Sequence, residues 1–420
     1  MLVGTSGAVL LNGRRFPCGN HGLVAQVDRS SESRRTSAAS PRVLLVLDSL
    51  GLGGAERSTV TLLPYLRERG FDLEVATLHP RPGYQDQVRE SGVALHELSP
   101  DGGGVGSLRQ LRRLIRQRRP DLVHTSLFNA DVWGRTAAKL TGTPSVSTLA
   151  TERYGESQAN AAHIRRSRLR ASQVIDVATA HTTTRLHAVS THVADTMARR
   201  LRYPRDRIDV VYRGRPVELV DRNCAEAAAL RASLSLAPGP VFLALARHEP
   251  AKGLDRLVRA WSLAKEELGD ANLLVAGRSG TQTTAIEALT DELGVASSVH
   301  FLGHRDDVTD LLAMSTAFVL PSVREGLPGA LLEAMAAGTP AVVNALPQVI
   351  EVVGENEAII VDAADPEALS TGLLAAIRDP AEAKRRAVAA RRRFAETFTL
   401  EQSADGMAAF YDRALDIRSD

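Results

Sequence analysis

Short apolar runs recur along this chain, and each is followed by a turn and then by a stretch with helical spacing. The first is PRVLLVLDSL (41–50), a Val/Leu run that reads as a strand of a buried parallel sheet. GLGGAERSTVTLLPYLRERG follows as a glycine turn and a helix ending near Gly70, with Pro64 inside it as a source of a kink. DLEVATL, VALHEL, DLVHTS and PSVSTLA continue the strand series, with LRQLRRLIRQRRP as a helix between two of them. RLHAVS and IDVVYRG close it. After GRPVELVDRN (214–223) the alternation restarts with VFLALAR, NLLVAG, SVHFLG, TAFVLPS, PAVVN and AIIVD. Strands alternating with helices predict an α/β protein with doubly wound sheets, here in two Rossmann-like halves. The expected division is 41–213, 214–398 and a terminal helix in 399–420 that packs back toward the first half.

Composition changes this picture little. A chain of 420 residues exceeds one core, which fits two domains. Apolar content of 44% and charged content of 24% are those of a soluble globular protein. No apolar run approaches the ~20 residues of a membrane-spanning helix. Cys18 and Cys224 are too few and too far apart for a disulfide framework, which fits the cytoplasm. The opening MLVGTSGAVLLNGRR carries its charges after the apolar stretch, unlike a signal peptide. Residues 1–40 read as a disordered leader or an over-long start. Net charge is +2, but the cations are 47 Arg against 4 Lys, so each lysine is worth locating. Arginines scattered without interleaved aromatics, which make up 4% of the chain, argue against a nucleic-acid partner.

Ligands of such sheets lie outside the carboxyl ends of the strands, and between two halves they lie in the shared cleft. Three stretches fall at strand ends. In LDSLGLGGAE, Gly51, Gly53 and Gly54 let backbone N–H groups approach a phosphate at a helix start. Their spacing is not that of a dinucleotide fingerprint, and alone the turn serves equally as a ligand-free connection. In LARHEPAKGLDRLVRAW, Arg247 and Lys252 flank a turn before a helix. Cations there oppose the helix dipole unless an anion is bound, which favours a site over a solvated helix start. In REGLPGALLEAMAAGTPAV, Pro328 suits the first turn of a helix that Gly338 and Pro340 stop. Glu325 precedes that helix and Glu333 lies about a turn and a half inside, with free N–H groups around Leu327 to Ala330 between them. Two carboxylates beside an anion pocket would hold the hydroxyls of a sugar or ribose. Taken alone, the spacing fits better a capped helix with two surface acids.

In combination the motifs are more specific. GGAER, R-x4-KG, HFLGHRDDV and EGLPGALLEAMAAGTPAV occur in this order, and together they resemble the retaining GT-B glycosyltransferases of family 4, or glycosyl transferases group 1. The resemblance covers about residues 42–418. It implies two Rossmann-like domains facing each other across a cleft, the first binding the acceptor and the second a nucleotide-diphosphate sugar, with UDP or GDP as the expected nucleotide. Arg247 and Lys252 would neutralise the diphosphate, Glu325 would hold donor-sugar hydroxyls and Glu333 the ribose. Gly53 and Gly54 would approach the diphosphate from the first domain. Leu327, Pro328 and Gly329 would meet it from the second. His304 and Arg305 would line the base pocket, mostly through backbone.

No cofactor or metal is implied, and no Asp-x-Asp motif is present. The family often carries His-x-His after the strand that reads DLVHTS here. This chain has His124 as the candidate catalytic histidine but Ser126 at the second position. TERYGE (151–156) is expected to face the acceptor. The basic helix 107–119, with Leu111, Leu114 and Ile115 on one side, is a candidate for an anionic membrane surface, giving a cytoplasmic protein peripheral to the inner face of the membrane. A lipid-linked, polysaccharide or other envelope acceptor is the corresponding expectation. The alternatives are a nucleotide-sugar 2-epimerase of similar fold and, less favoured, an arginine-rich nucleic-acid binder.

Overall fold

The apolar runs pair side by side as parallel strands, seven in the first half and six in the second. A computed structural model describes residues 10–11, 14–15, 40–99, 103–155, 166–217 and 225–416. Contacts divide the chain into the units Met1–Ala39 and Ser40–Asp420. In the first unit, β1 (Leu10–Leu11) pairs antiparallel with β2 (Arg14–Arg15). The rest of the expected leader, Ser40 apart, lies outside the described residues.

The first sheet of the second unit comprises β3 (Arg42–Leu47), β4 (Asp72–Thr77), β5 (Ala94–Glu97), β6 (Leu122–Ser126), β7 (Ser145–Leu149), β8 (Arg185–Ala188) and β9 (Ile208–Val210). Their order is β5-β4-β3-β6-β7-β8-β9. Both faces of β3 are buried, which is why its sequence is a continuous apolar run and not an alternating one. Val43, Leu45 and Leu47 pack against the helix Gly54–Glu68, which continues through Pro64. Leu44 and Val46 pack against the helices Gly103–Arg118 and Phe128–Thr141.

The second sheet comprises β10 (Val241–Leu245), β11 (Asn272–Ala276), β12 (Val299–Gly303), β13 (Ala317–Leu320), β14 (Ala341–Asn344) and β15 (Ile359–Val361). Its order is β12-β11-β10-β13-β14-β15. In each sheet the first strand of the half has neighbours from both winding directions: β3 lies between β4 and β6, and β10 between β11 and β13. The connections diverge at these two switch points, and a crevice opens outside the carboxyl ends.

The chain crosses between the halves twice, and the crossings touch. Arg215 N donates to Phe398 O at 2.9 Å, and Arg215 and Thr399 form a bridge. A Cβ on Gly214 would stand 2.3 Å from Thr399 O, so only glycine allows this approach. After the second crossing the helix Leu400–Asp416 returns to the first half and buries Met407, Phe410 and Tyr411 in its core.

The helix Gly103–Arg118 turns inward the apolar side named in the membrane expectation. Leu111, Leu114 and Ile115 are buried in the first-half core, because they cover the β3 and β6 face. Arg109, Arg113 and Arg116 face solvent. No helix among the described residues is long and apolar enough to cross a membrane.

Candidate functional site

The loops after β10 and β13 are zipped together at the second switch point. Gly253 ends the PAK turn with φ 63°, and a Cβ there would stand 2.3 Å from Pro321 O, so this position requires glycine on both counts. Val323 N donates to Ala251 O at 2.9 Å. This join sets Lys252 Nζ 2.6 Å from Glu325 Oε1, with side chains 26% and 10% exposed. Gln348 Nε2 holds the same loop by donating to Glu325 O at 2.9 Å. Arg247, at the end of β10, is exposed. It lies near enough to Glu56 of the first half to oppose the upward pull of burial on that carboxyl.

The helix expected to hold Pro328 in its first turn spans Gly329–Ala337, with Pro328 as its N-cap, so it starts one residue later than predicted. Gly338, at φ 65°, ends it. No side chain caps its start, and the first N–H groups of a helix have no acceptor within it. Leu327 is buried and anchors the loop. Glu333, about one turn in, is not a surface acid: its Oε1 accepts from Arg57 Nη1 at 2.8 Å and Arg215 Nε at 3.1 Å. Ser190 Oγ donates to Gly326 O at 3.0 Å, so the glutamate loop also touches the first half.

From the first half, Gly53 caps the helix Gly54–Glu68, and its N–H bonds Gly51 O at 2.7 Å. A Cβ on Gly54 would meet nothing within 4 Å, which leaves its backbone open to a ligand. Arg278, following β11, donates through Nη2 to Leu52 O and ties the glycine turn to the second half. Arg213 lies in the crossing segment. Burial, with Arg215 beside it, pushes its guanidinium down to about 10, so it stays cationic at neutral pH. Burial likewise lowers Arg215. Arg57, Arg213, Arg215, Arg247, Lys252 and Arg278 thus outnumber Asp48, Glu56, Glu325 and Glu333, which leaves the cleft net positive.

His304 and Arg305 follow the edge strand β12. His304 is half exposed, 3.5 Å from Asp306, and Arg305 is paired to Asp307 at 2.8 and 2.5 Å. Arg305's guanidinium is thus taken up by Asp307 beside it.

The structure does not bring His124 to the cleft. Its ring nitrogens lie 2.7 Å from Tyr411 OH and 2.7 Å from Thr148 Oγ1, in the first-half core. Side chains alternate along β6, and the face that carries His124 is covered by the returning helix Leu400–Asp416. Burial, then the neighbouring His187, pushes it down to about 3. Burial lowers His187 to about 4. Both are neutral core groups, and the catalytic assignment of His124 is withdrawn. For a histidine depressed in the folded state, the unfolded chain binds more protons below about 6.5. Stability is therefore fully present above pH 7 and is lost progressively from about pH 6.5 toward pH 4. A urea-denaturation midpoint that stays flat across that interval would contradict the assignment.

Of TERYGE, Glu156 lies outside the described residues, and Arg153 and Tyr154 belong to a buried network. Arg153 bonds Asp131 at 2.8 Å and Asp176 at 3.2 Å, while Arg135 bonds Asp176 at 2.7 Å. Tyr154 OH donates to Asp176 Oδ2 at 2.8 Å. This locks residues 151–155 onto the helices beneath. Sequence reasoning missed Arg57, Arg213, Arg215 and Arg278 as cleft residues. The signal was present in YRGRP, two arginines flanking a glycine at the crossing between halves.

These features define a GT-B cleft, and the chain belongs to the group 1, family 4 type of GT-B glycosyltransferases. Residues 52–219 match the family model "Glycosyltransferase Family 4" and residues 228–393 match "Glycosyl transferases group 1". Among curated relatives, it is 30% identical over 240 residues to the D-inositol 3-phosphate glycosyltransferase of Rhodococcus opacus, across 55% of this chain and 53% of that one. It is 38% identical over 96 residues to the lipopolysaccharide glucosyltransferase WaaG of Escherichia coli, across 23% of this chain and 25% of that one. The chain thus spans about half the length, or less, of the curated relatives it matches. Among solved structures, Anabaena HepE in complex with UDP and glucose superposes with a TM-score of 0.77 at 18% identity, over 88% of this chain and 99% of that one.

Proposed function

We infer that this glycosyltransferase is a retaining enzyme that moves a hexosyl group from a UDP- or GDP-sugar onto a lipid-linked, polysaccharide or other envelope acceptor. The observation that carries the reading is the placement of Arg247, the Lys252–Glu325 pair and an uncapped helix start together at the β10/β13 switch point. The UDP complex of a structure of the same fold supports the nucleotide class.

In this reading the glycosidic C–O bond breaks through an oxocarbenium-like state, and the departing diphosphate takes the electron pair. Arg247, Lys252 and the N–H groups of Gly329 and Ala330 face the charge that develops, which is where fixed donors act most strongly. Glu325, already tied to Lys252, holds sugar hydroxyls and does not attack. Glu333 offers Oε2 to the ribose, because only Oε1 is taken by the two arginines. The acceptor hydroxyl attacks from the face the leaving group departs, and the diphosphate accepts its proton.

A calorimetric panel of UDP-, GDP- and ADP-sugars tests this, with binding of at least one donor expected. Silence across the whole panel would remove the reading. Cations already supply the leaving-group charge, so turnover is expected to survive EDTA. Complete loss in chelator, restored by a divalent ion, would reassign that role to a metal. Conversion of donor in the absence of any acceptor would favour the epimerase alternative.

A further inference from the structure

Arg215 is a cleft cation whose position its ion pair with Glu333 does not fully explain. It is 6% exposed, although it sits on the segment that crosses between the halves. Nε bonds Glu333, and Nη1 bonds Ser58 Oγ at 3.2 Å and Gly214 O at 3.0 Å. Nη2 has no hydrogen-bond partner among the described residues. It points at the start of the helix Gly329–Ala337: a Cβ built on Gly329 would stand 2.1 Å from it. A guanidinium at a helix N-terminus faces the positive end of the dipole and uncapped N–H donors. A cationic donor held beside those N–H groups without an acceptor is unfavourable, and a ligand at the helix start supplies one. An anion bound at the helix start satisfies Nη2, the free N–H groups and the dipole together.

We propose that Arg215 is a further diphosphate-binding residue, its Nη2 and the N–H groups of Gly329 and Ala330 gripping one phosphate of the donor. Through Nε the same side chain fixes Glu333, so one guanidinium sets the phosphate and the ribose carboxylate in a common geometry. Its backbone joins Phe398 at the second crossing, which places this grip on both connections between the halves. The inference rests on the donor reading above and adds to it a residue from the hinge.

The test is isothermal calorimetry with UDP, GDP, ADP and inorganic pyrophosphate. Pyrophosphate is informative because it has no ribose for Glu333 to hold. Arg215→Gln is expected to weaken pyrophosphate and the preferred nucleoside diphosphate alike, by about tenfold to a hundredfold, the loss of one charge-assisted contact. Glu333→Gln is expected to weaken only the nucleotide. Unchanged pyrophosphate affinity in Arg215→Gln would overturn the inference and leave Arg215 as a support for Glu333. If Arg215→Gln fails to fold, Gly329→Ala keeps the charge but pushes Nη2 off the helix start. It is expected to weaken pyrophosphate similarly, and full affinity in that folded variant would overturn the inference as well. If the unsubstituted chain binds none of the four probes, the donor reading falls together with this one. Binding by the unsubstituted chain with no loss in Arg215→Gln removes this one alone.

Discussion

Replacing Lys252 by alanine is expected to lower kcat/KM by about two orders of magnitude, with the circular-dichroism spectrum unchanged. The ammonium faces the departing diphosphate in the proposed reaction, and a charge-assisted contact of this kind contributes ~1.5–3 kcal/mol, which converts to ~10–10²-fold in rate. A donor aimed at developing charge sits at the upper end of that range. The substitution also strands Glu325, whose side chain is 10% exposed and whose Oε1 lies 2.6 Å from Nζ. Lys252→Arg is not expected to restore full activity, because a planar guanidinium does not fit the place of a compact ammonium behind the Gly253 turn. Full activity in Lys252→Ala would sink the assignment of the diphosphate to this loop.

Asp176→Ala is expected to destabilise the fold by about 3–5 kcal/mol, the usual penalty for removing one partner from a buried ion network. Asp131, Arg135 and Asp176 are fully buried, and Arg153 nearly so, in a cluster of two acids and two guanidinium groups. Without Asp176 two buried cations share one carboxylate, and Tyr154 OH loses its acceptor at 2.8 Å and keeps the longer bond to Ser172 O. The melting temperature should fall by several degrees. The loop 151–155 should loosen before the global transition, read as faster amide exchange there. A loss below about 1 kcal/mol would mean that the network is replaced by water at little cost.

The central strands were legible because both sheets are parallel and these strands are covered on both faces, so β3, β10, β11 and β13 are nearly continuous apolar runs bounded by turns. VLLVL, LLVA and AFVL needed no long-range information to be placed. The glutamate helix was legible too, since Gly338 and Pro340 stop it locally, although Pro328 is its N-cap and not part of its first turn. His124 was misplaced for a different reason. Whether a strand histidine meets a cleft or a core depends on what covers that face, and the cover is the helix Leu400–Asp416, almost 300 residues away in the chain. The basic helix Gly103–Arg118 turns on the same question of cover. Its amphipathic pattern was read correctly, but the pattern does not say whether a sheet or a membrane takes the apolar face.

What the sequence determined by itself was the alternation of strand and helix, the two halves, and the motifs at strand ends that carry the family. These depend on neighbours within a few residues, where side-chain periodicity and turn chemistry act. Which charges meet was decided only by the tertiary structure. Arg57 and Arg215 stand 276 and 118 residues from Glu333, and Lys252 stands 73 residues from Glu325. Sheet order and the paired crossings at Gly214 and Thr399 bring them together, because electrostatic partners are chosen by distance in space, about which spacing along the chain says nothing.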